Sequence, residues 1–259
     1  MPELPDLQLF SNNLHKKLAG KKLTEIKVLV AKNLNVTETT LQKKLLDQEL
    51  YAVKRVGKEL HFDFGNDHVL ALHLMLHGEL HYFEADHLPK FTILAMRFSN
   101  GIGLALSDFQ KMATPTLNPT QSESLDALSD EMNVDLFTRL LQDSKASIKN
   151  ILLDQKLIRG IGNAYADEIL WDARISPFSV ASKIPAEKVD ALVKSIKAVL
   201  LDAGKQLKHA HPDIISGEYR EFLKIHGPKI KESPTGAEVL TKKIGSRKTY
   251  YTSEQELFT

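Results

Sequence analysis

A change of hydrophobic period near residue 130 constrains the fold of this chain more than any other feature. Before it, apolar and polar residues alternate in four runs, 23–30, 50–64, 69–83 and 91–106, separated by turn signals such as Gly65-Asn66-Asp67. Alternation with a period of two predicts strands that bury one face. Beyond residue 130 apolar residues recur every three to four positions, which predicts helices. The sequence therefore predicts an α+β fold with two main domains, an antiparallel β-sandwich and then a helical domain.

Composition along the chain suggests where these domains begin and end. Residues 1–115 are expected to form the sandwich, led by an amphipathic helix from Asp6 to Leu18. Residues 116–131 are acidic and rich in Pro, Ser and Thr, which is typical of a linker. We expect residues 132–225 to form the helical domain and residues 226–259 a small β-hairpin.

Charge and cysteine content narrow the classes of protein. The 34 Lys and Arg residues nearly balance 33 Asp and Glu residues, so the net charge of +1 does not by itself indicate a nucleic-acid-binding protein. Basic residues nevertheless outnumber acidic ones between Arg220 and Lys248, which predicts a local basic surface. The absence of cysteine excludes disulfides and thiolate metal sites. No signal peptide or apolar run of about 18 residues occurs, so a cytoplasmic, nucleoid-associated protein is expected.

The first residues, Met1-Pro2-Glu3-Leu4-Pro5-Asp6, contain a candidate catalytic centre. Removal of Met1, which is usual before a small residue, would leave Pro2 as a secondary amine beside the Glu3 carboxylate. An α-amine has a pKa of about 8, so a neutral fraction exists near pH 7 and can attack carbonyl-like carbon to form an imine. The alternative interpretation is structural: the prolines stiffen the start of the chain and Asp6 caps the following helix.

A second candidate site lies between two predicted helices, at Gly160-Ile161-Gly162-Asn163. The two glycines permit a sharp turn and a close approach of the backbone to a ligand. A helix that begins near Asn163 directs its free N–H groups and the positive end of its dipole at this turn, which suits a phosphate. A plain helical hairpin with a glycine turn is the alternative.

Both segments resemble parts of one family. Pro2-Glu3-Leu4-Pro5-Asp6 is similar to the opening of the formamidopyrimidine-DNA glycosylase and endonuclease VIII family, and residues 147–171 resemble its helix-two-turn-helix element. The resemblance implies a bifunctional DNA glycosylase and abasic-site lyase that excises oxidised bases through an imine on Pro2, with Glu3 in acid catalysis. It implies no cofactor. The expected partner is double-stranded DNA containing oxidised bases or abasic sites, bound by a monomer with no membrane association.

Further residues take roles through the same resemblance. Lys58 matches a hairpin lysine that contacts phosphate and assists elimination. Asn163 matches a residue that binds the phosphate beside the damaged nucleotide, and Arg247 matches an arginine at the tip of the last hairpin. The remaining residues in the register of the DNA-binding element are Lys156, Gly162 and Tyr165.

Two loops match those that fill the gap left by a flipped base. Leu76 takes the place of one wedge residue, while Gln110 and Met112 replace the usual Arg and Phe. Apolar wedges suit this task because lost base stacking must be replaced. Gln110 cannot offer a bidentate guanidinium to the stranded base, which changes the expected discrimination of the opposite base.

The chain also departs from the family's zinc finger. The four thiolate positions correspond to Glu232, Thr235, Thr252 and Gln255, which cannot form a tetrahedral thiolate site. We therefore expect a zincless finger that side-chain packing alone holds in place. The altered wedge and finger leave a second hypothesis, a damaged-DNA-binding protein on the same scaffold without turnover. Retention of Pro2, Glu3 and Lys58 argues against it, because binding alone requires no amine nucleophile.

Overall fold

The computed structural model describes residues 1–84 and 87–259, which divide into two units. The first unit consists of Met1–Gln121 together with Leu207–Glu218, and the second of Ser122–Gln206 together with Tyr219–Thr259. No helix within the described ranges is long and apolar enough to cross a membrane.

The first unit opens with helix α1, Leu4–Leu18, which begins two residues earlier than the sequence suggested. Glu3 is the N-cap residue, and Asp6 lies at the third helical position, where its Oδ2 accepts the Glu3 backbone N–H at 2.8 Å. Asp6 therefore supports the helix start as half of a capping box and is not the cap itself. Buried Leu7, Phe10, Leu14 and Leu18 share one helical face, as their spacing predicts.

Eight strands within residues 1–84 and 87–121 complete the sandwich. In chain order they are β1 Leu23–Val28, β2 Ala52–Val56, β3 Glu59–Asp63, β4 Val69–His73, β5 Glu79–Phe83, β6 Thr92–Phe98, β7 Gly103–Ser107 and β8 Thr114–Leu117. One sheet has the order β1-β6-β7-β5 and the other β2-β3-β4-β8, and every neighbouring pair is antiparallel. The predicted antiparallel β-sandwich is confirmed.

Alternating apolar residues form the core of this sandwich. Phe62 of β3, Leu72 of β4, Met96 of β6 and Leu106 of β7 all belong to one buried cluster that also contains the apolar face of α1. Burying each such side chain contributes roughly 1.5–3 kcal/mol relative to leaving it in water. The start of α1 is thus fixed against a large core.

One helix of this unit, α2 at Glu38–Leu45, was not predicted. Thr37 caps it by accepting the Thr40 backbone N–H at 3.2 Å, and Leu41 and Leu45 are buried. Two threonines within eight residues weaken the intrinsic helix preference, so tertiary packing of the two leucines decides this segment.

The second unit contains the predicted helices. They are α3 Val134–Leu141, α4 Ile148–Leu153, α5 Asn163–Asp172 and α6 Ala186–Ala210, with a short 3-10 helix at Ala181–Lys183. The last four residues of α6, from Leu207, are grouped with the first unit. The hairpin near the end of the chain consists of β11 Leu240–Ile244 and β12 Arg247–Tyr251, which pair antiparallel. The helical domain that ends in a β-hairpin is therefore confirmed.

The proposed linker region, 116–131, is partly regular. Strand β8 reaches Leu117, and β9, Leu125–Asp126, pairs in parallel with β10, Ile158–Arg159. Backbone pairing to the turn between α4 and α5 thus orders residues that composition alone assigns to a solvated connection.

Candidate active site

Pro2 and Glu3 are both buried at the start of α1. Pro2 lines a cavity of about 590 Å³ in the first unit, together with residues from the ends of β5 and β7, the loops after β4 and β7, and Gly217-Glu218. The terminal ammonium of Met1 contacts Glu218 Oε1. Removal of Met1 would transfer the free amine to Pro2, at the wall of this cavity.

Lys58 lies in the tight turn between β2 and β3, where Gly57 adopts the left-handed conformation at φ 58°. Arg55 ties this turn to α1, since its Nε donates to Gln8 Oε1 at 3.0 Å and its Nη1 to the Gly57 carbonyl at 3.1 Å. Lys58 is not among the described residues that line the Pro2 cavity. The structure therefore fixes this turn beside α1.

The same turn adjoins the loop that carries Leu76. Glu59 pairs with His73 across the β3–β4 ladder, and His73 Nδ1 accepts the Met75 backbone N–H at 3.0 Å. Burial lowers the pKa of His73 and outweighs the opposing effect of the Glu59 carboxylate, while the positive charge of Lys58 also lowers it. The lowered pKa favours the neutral ring that can accept this bond.

Leu76 itself is 59% exposed on the tight turn after β4. The Gly78 N–H closes this turn on the Leu74 carbonyl at 2.8 Å. A Cβ at residue 78 would lie 2.1 Å from that carbonyl oxygen, so the turn requires glycine here. The backbone thus presents an apolar side chain to solvent on a constrained loop, and Leu76 lines the Pro2 cavity.

The second wedge loop is organised by Asp108, which is buried. Its carboxylate accepts the backbone N–H groups of Gln110, Met112 and Ala113 at 2.8–2.9 Å. Three bonds to one carboxylate hold the loop in a single shape. Gln110 is exposed on it, and Met112 is 41% exposed.

Sequence reasoning missed the aromatic residue of this loop. Phe109 is 56% exposed, lines the Pro2 cavity, and lies with its ring centroid 4.7 Å from that of His77. The available signal was its position between Asp108 and Gln110, within the loop that the family resemblance already associates with the flipped base.

In the second unit, Gly162 is the N-cap residue of α5 and Asn163 its first helical residue. The preceding turn is clamped by Gln155, whose side chain donates to the carbonyls of Leu153 and Ile161 and accepts the Gly160 N–H at 3.0 Å. Gln155 was not predicted as a site residue, although between Asp154 and Gly162 it is the one residue with an amide side chain. The clamp fixes the direction in which the N-terminus of α5 points.

The remaining predicted residues of this element differ in exposure. Lys156 is exposed on the turn, whereas Tyr165 is fully buried within the second unit, with the Arg220 guanidinium 5.4 Å from its ring centroid. A fully buried ring supports the helix from within, so any contribution of Tyr165 to a ligand site is indirect.

Asn163 and the hairpin tip are brought together. Asn163 Nδ2 donates to the Lys248 carbonyl at 2.9 Å, next to the exposed Arg247. The neighbouring exposed cations of the hairpin are Lys242, Lys243 and Lys248. The N-terminus of α5 and the basic hairpin are thus adjacent within the second unit, and both favour an anion.

Two of the four positions that correspond to zinc ligands, Thr235 and Thr252, bond to one carboxylate. Glu254 accepts hydrogen bonds from the hydroxyls of Thr235, at 2.5 Å, and Thr252, at 3.2 Å. It also accepts the Ser233 hydroxyl at 3.0 Å and the Trp171 indole N–H at 3.2 Å. The Thr235 hydroxyl is the main cause that lowers the pKa of Glu254 to about 2. The hydrogen bonds of this ionised carboxylate stabilise the fold fully at pH values above 4.5, its usual pKa. That stabilisation is lost as the pH falls toward 2.

A buried ion pair fixes the hairpin to the helices. Lys149 and Asp167 are both fully buried, with Nζ 2.6 Å from Oδ1, and Lys149 also donates to the Thr249 hydroxyl at 2.8 Å. Asp167 Oδ2 accepts the Tyr250 N–H at 3.0 Å and contacts His226 Nδ1 at 2.7 Å. The expectation that packing alone holds the finger is wrong, because polar bonds supplement a small apolar cluster of Trp171, Ile225 and Tyr250.

Two domain models match this chain, one for each unit's main part. The formamidopyrimidine-DNA glycosylase N-terminal domain matches residues 1–114, and the formamidopyrimidine-DNA glycosylase H2TH domain matches residues 124–210. Both descriptions are those of a DNA glycosylase of DNA repair, which sets the class of protein.

Relatives extend the match over nearly the whole length. The chain is 33% identical to the formamidopyrimidine-DNA glycosylase of Pelotomaculum thermopropionicum and 29% to that of Lactobacillus johnsonii, covering 97% of each chain in both cases. Lactococcus lactis Fpg bound to abasic-site DNA has a TM-score of 0.88 at 26% identity, and MutM bound to DNA with carbocyclic 8-oxo-G has 0.88 at 29%. In both cases the match covers 98% of this chain and 100% of the other. The chain belongs to the formamidopyrimidine-DNA glycosylase family.

Proposed function

We propose that this chain is a bifunctional DNA glycosylase and abasic-site lyase, with Pro2 as the nucleophile once Met1 has been removed. The observation that carries this proposal is the position of Pro2, buried at the rigid start of α1 and lining a cavity of about 590 Å³. A cavity of this size can hold a nucleobase and its sugar. The adjacent Glu3 provides a carboxyl group for proton transfer.

The proposed chemistry follows from the secondary amine. The Pro2 nitrogen attacks C1′ of a flipped nucleotide, the N-glycosidic bond breaks, and the base leaves. Glu3 supplies a proton to the sugar ring oxygen as the ring opens. The resulting iminium acidifies the neighbouring C2′–H, so elimination breaks the strand. Glycosylase and lyase activities therefore share one covalent intermediate.

Each unit is proposed to contribute its own residues to DNA binding. Lys58 contacts phosphate and assists elimination, and Leu76, Met112 and Phe109 replace the stacking of the flipped base. In the second unit Asn163, Gly162 and Lys156 bind the phosphate beside the lesion, and Arg247 holds a flanking phosphate. The exposure of the wedge side chains and of the basic hairpin supports these roles.

Turnover on duplexes that each carry one lesion tests the proposal. Multiple turnovers with release of base and strand cleavage support a glycosylase with lyase activity. Tight binding of damaged duplexes without any turnover, by a chain confirmed to lack Met1, would instead support the damage-binding hypothesis.

Arg247→Ala is expected to weaken DNA binding by roughly 1–3 kcal/mol, because a charged phosphate contact is lost. It should also reduce the slope of log affinity against log salt by about one unit. Fluorescence anisotropy across a salt series measures both quantities. Arg247→Lys is the matched control, since it keeps the charge and should keep the slope. An unchanged slope in Arg247→Ala would remove Arg247 from the interface.

The short loop after α6 bears on which lesion is excised fastest. In 8-oxoguanine-preferring members of this family a long loop after the last bundle helix closes over the flipped base, and that loop is short here. The residues that follow Glu218 are held closely: Glu168 accepts the N–H groups of Lys224, Ile225 and His226 at 2.8–2.9 Å.

With little chain available to enclose a purine, we expect formamidopyrimidines, oxidised pyrimidines or hydantoins to be excised faster than 8-oxoguanine. Single-turnover rates on one duplex sequence with each lesion give the ranking. If 8-oxoguanine opposite cytosine proves fastest, the short loop does not set the preference.

A further inference from the structure

The segment after α6 is fixed firmly within the first unit. Asn13 of α1 donates from Nδ2 to the carbonyls of Pro212, at 2.9 Å, and Ile214, at 2.7 Å. Ser216 Oγ accepts the Leu80 N–H of β5 at 2.9 Å, and the side chain of Ile215 is buried in the sandwich core. These anchors determine where the next two residues, Gly217 and Glu218, lie.

In space, Glu218 lies beside the amino-terminal residue, Met1. Its Oε1 contacts the Met1 ammonium, and Glu218 and Pro2 line the same cavity. When Met1 is removed the positive charge moves by one residue, a step of about 3.8 Å along the chain. A glutamate side chain on a fixed backbone covers this distance by rotation about its side-chain bonds.

The other ionisable groups that line the cavity either bond to residues other than Met1 or carry a positive charge, as the amine does. His81 contacts Ser107 at 2.9 Å and Glu79 at 3.4 Å, and the Asp108 carboxylate accepts three backbone N–H groups. Lys90 and His77 also line the cavity but can supply only positive charge. On the helix side, Asp6 accepts the Glu3 N–H, and the proposed mechanism uses Glu3 as the acid. Glu218 is thus the carboxylate positioned to act on the terminal amine.

We infer that Glu218 is the counter-ion of the Pro2 nitrogen, pairing with its ammonium in the resting enzyme and with its iminium during the reaction. This inference rests on the proposed function. When Pro2 adds to the C1′ aldehyde of an opened abasic sugar, the N–C1′ bond forms and the aldehyde oxygen leaves as water. Of the two hydrogens in that water, one comes from the amine N–H and the other is a proton from solvent.

The iminium that a secondary amine forms has no N–H proton to lose, so its positive charge persists until elimination or hydrolysis. A carboxylate nearby therefore stabilises it at every pH at which the carboxylate is ionised. The same carboxylate favours the ammonium over the neutral amine and so raises the pKa of the nucleophile.

The test is the pH dependence of borohydride trapping on DNA with a preformed abasic site, using the processed full chain. In Glu218→Gln the midpoint of the acid limb should move to lower pH by about half a unit to one unit, a shift reduced by solvent screening. Below this midpoint the variant should be trapped faster than the native chain, a gain that damage to the fold cannot produce. Well above it, the variant should accumulate less iminium.

Glu79→Gln is the matched control, because it removes a carboxylate from the same cavity that contacts His81 rather than the terminal amine. Its acid-limb midpoint should equal that of the native chain. An adduct mapped to Pro2 with an unchanged midpoint in Glu218→Gln overturns the role of Glu218 alone. An adduct mapped to another residue overturns the proposed function and this inference together.

Discussion

A chain that retains Met1 is expected to give no borohydride-trapped adduct with abasic DNA, whereas the processed chain is trapped through residue 2. The lone pair of an amide nitrogen is delocalised into the carbonyl, so Pro2 joined to Met1 is neither basic nor nucleophilic. Loss of a covalent nucleophile costs on the order of 10⁴-fold or more in rate. Single-turnover trapping, followed by mass spectrometry of the cross-linked peptide, measures the rate and identifies the site.

Two substitutions separate the nucleophile from the acid. Pro2→Gly keeps a primary amine after processing and should retain part of the lyase activity, with the adduct still on residue 2. Glu3→Gln should bind DNA normally but lose base excision by about 10²–10⁴-fold, the usual contribution of a positioned acid. Because Glu3 is buried at the N-cap of α1, binding and thermal stability must both be measured for this variant.

The assignment would move to Lys58 if the adduct were found there while Pro2→Gly remained fully active. The structure makes this a sharp alternative, since Lys58 lies on a turn tied to α1 by Arg55. Lys58→Ala in the same assay should leave the adduct on Pro2 while slowing elimination.

The elements that sequence predicted well are those that local periodicity specifies. The buried stripe of α1, the alternation in β3, and the hairpin ending at Tyr251 need only neighbours in sequence to be recognised. Helix α2 was missed because its first turn contains Thr39 and Thr40, which have a weak helix preference, and because only Leu41 and Leu45 mark its buried face. Its capping Thr37 was the available signal.

Most of the polar framework of the site could not be predicted, because its partners are distant in sequence. Glu254 meets the Trp171 indole across 83 residues, and Lys149 meets Thr249 across 100. A lysine or glutamate on a helix or turn ordinarily faces water, so neither residue carries a signal of burial by itself. Only the assembled fold identifies them as groups that position the hairpin.

Lys149→Met is expected to reduce the stability of the hairpin's attachment by about 3–5 kcal/mol, the usual cost of leaving one member of a buried ion pair without its partner. Asp167 would keep its bonds to the Tyr250 N–H and His226 but lose a fully buried cation 2.6 Å away. Amide hydrogen exchange across β12 measures the local effect, and chemical denaturation of the full chain the global one.

Lys194→Met is the matched control for this substitution. Lys194 pairs with Asp190 one turn away on α6, but its side chain is 75% exposed, and such pairs contribute less than about 1 kcal/mol. Lys149→Met should also weaken DNA binding as much as Arg247→Ala does, since the hairpin that carries Arg247 is released, whereas Lys194→Met should not. A chelator should leave the native chain's stability and binding unchanged. If Lys149→Met proves as mild as Lys194→Met, or if chelation releases the hairpin, the buried ion pair is not what holds it.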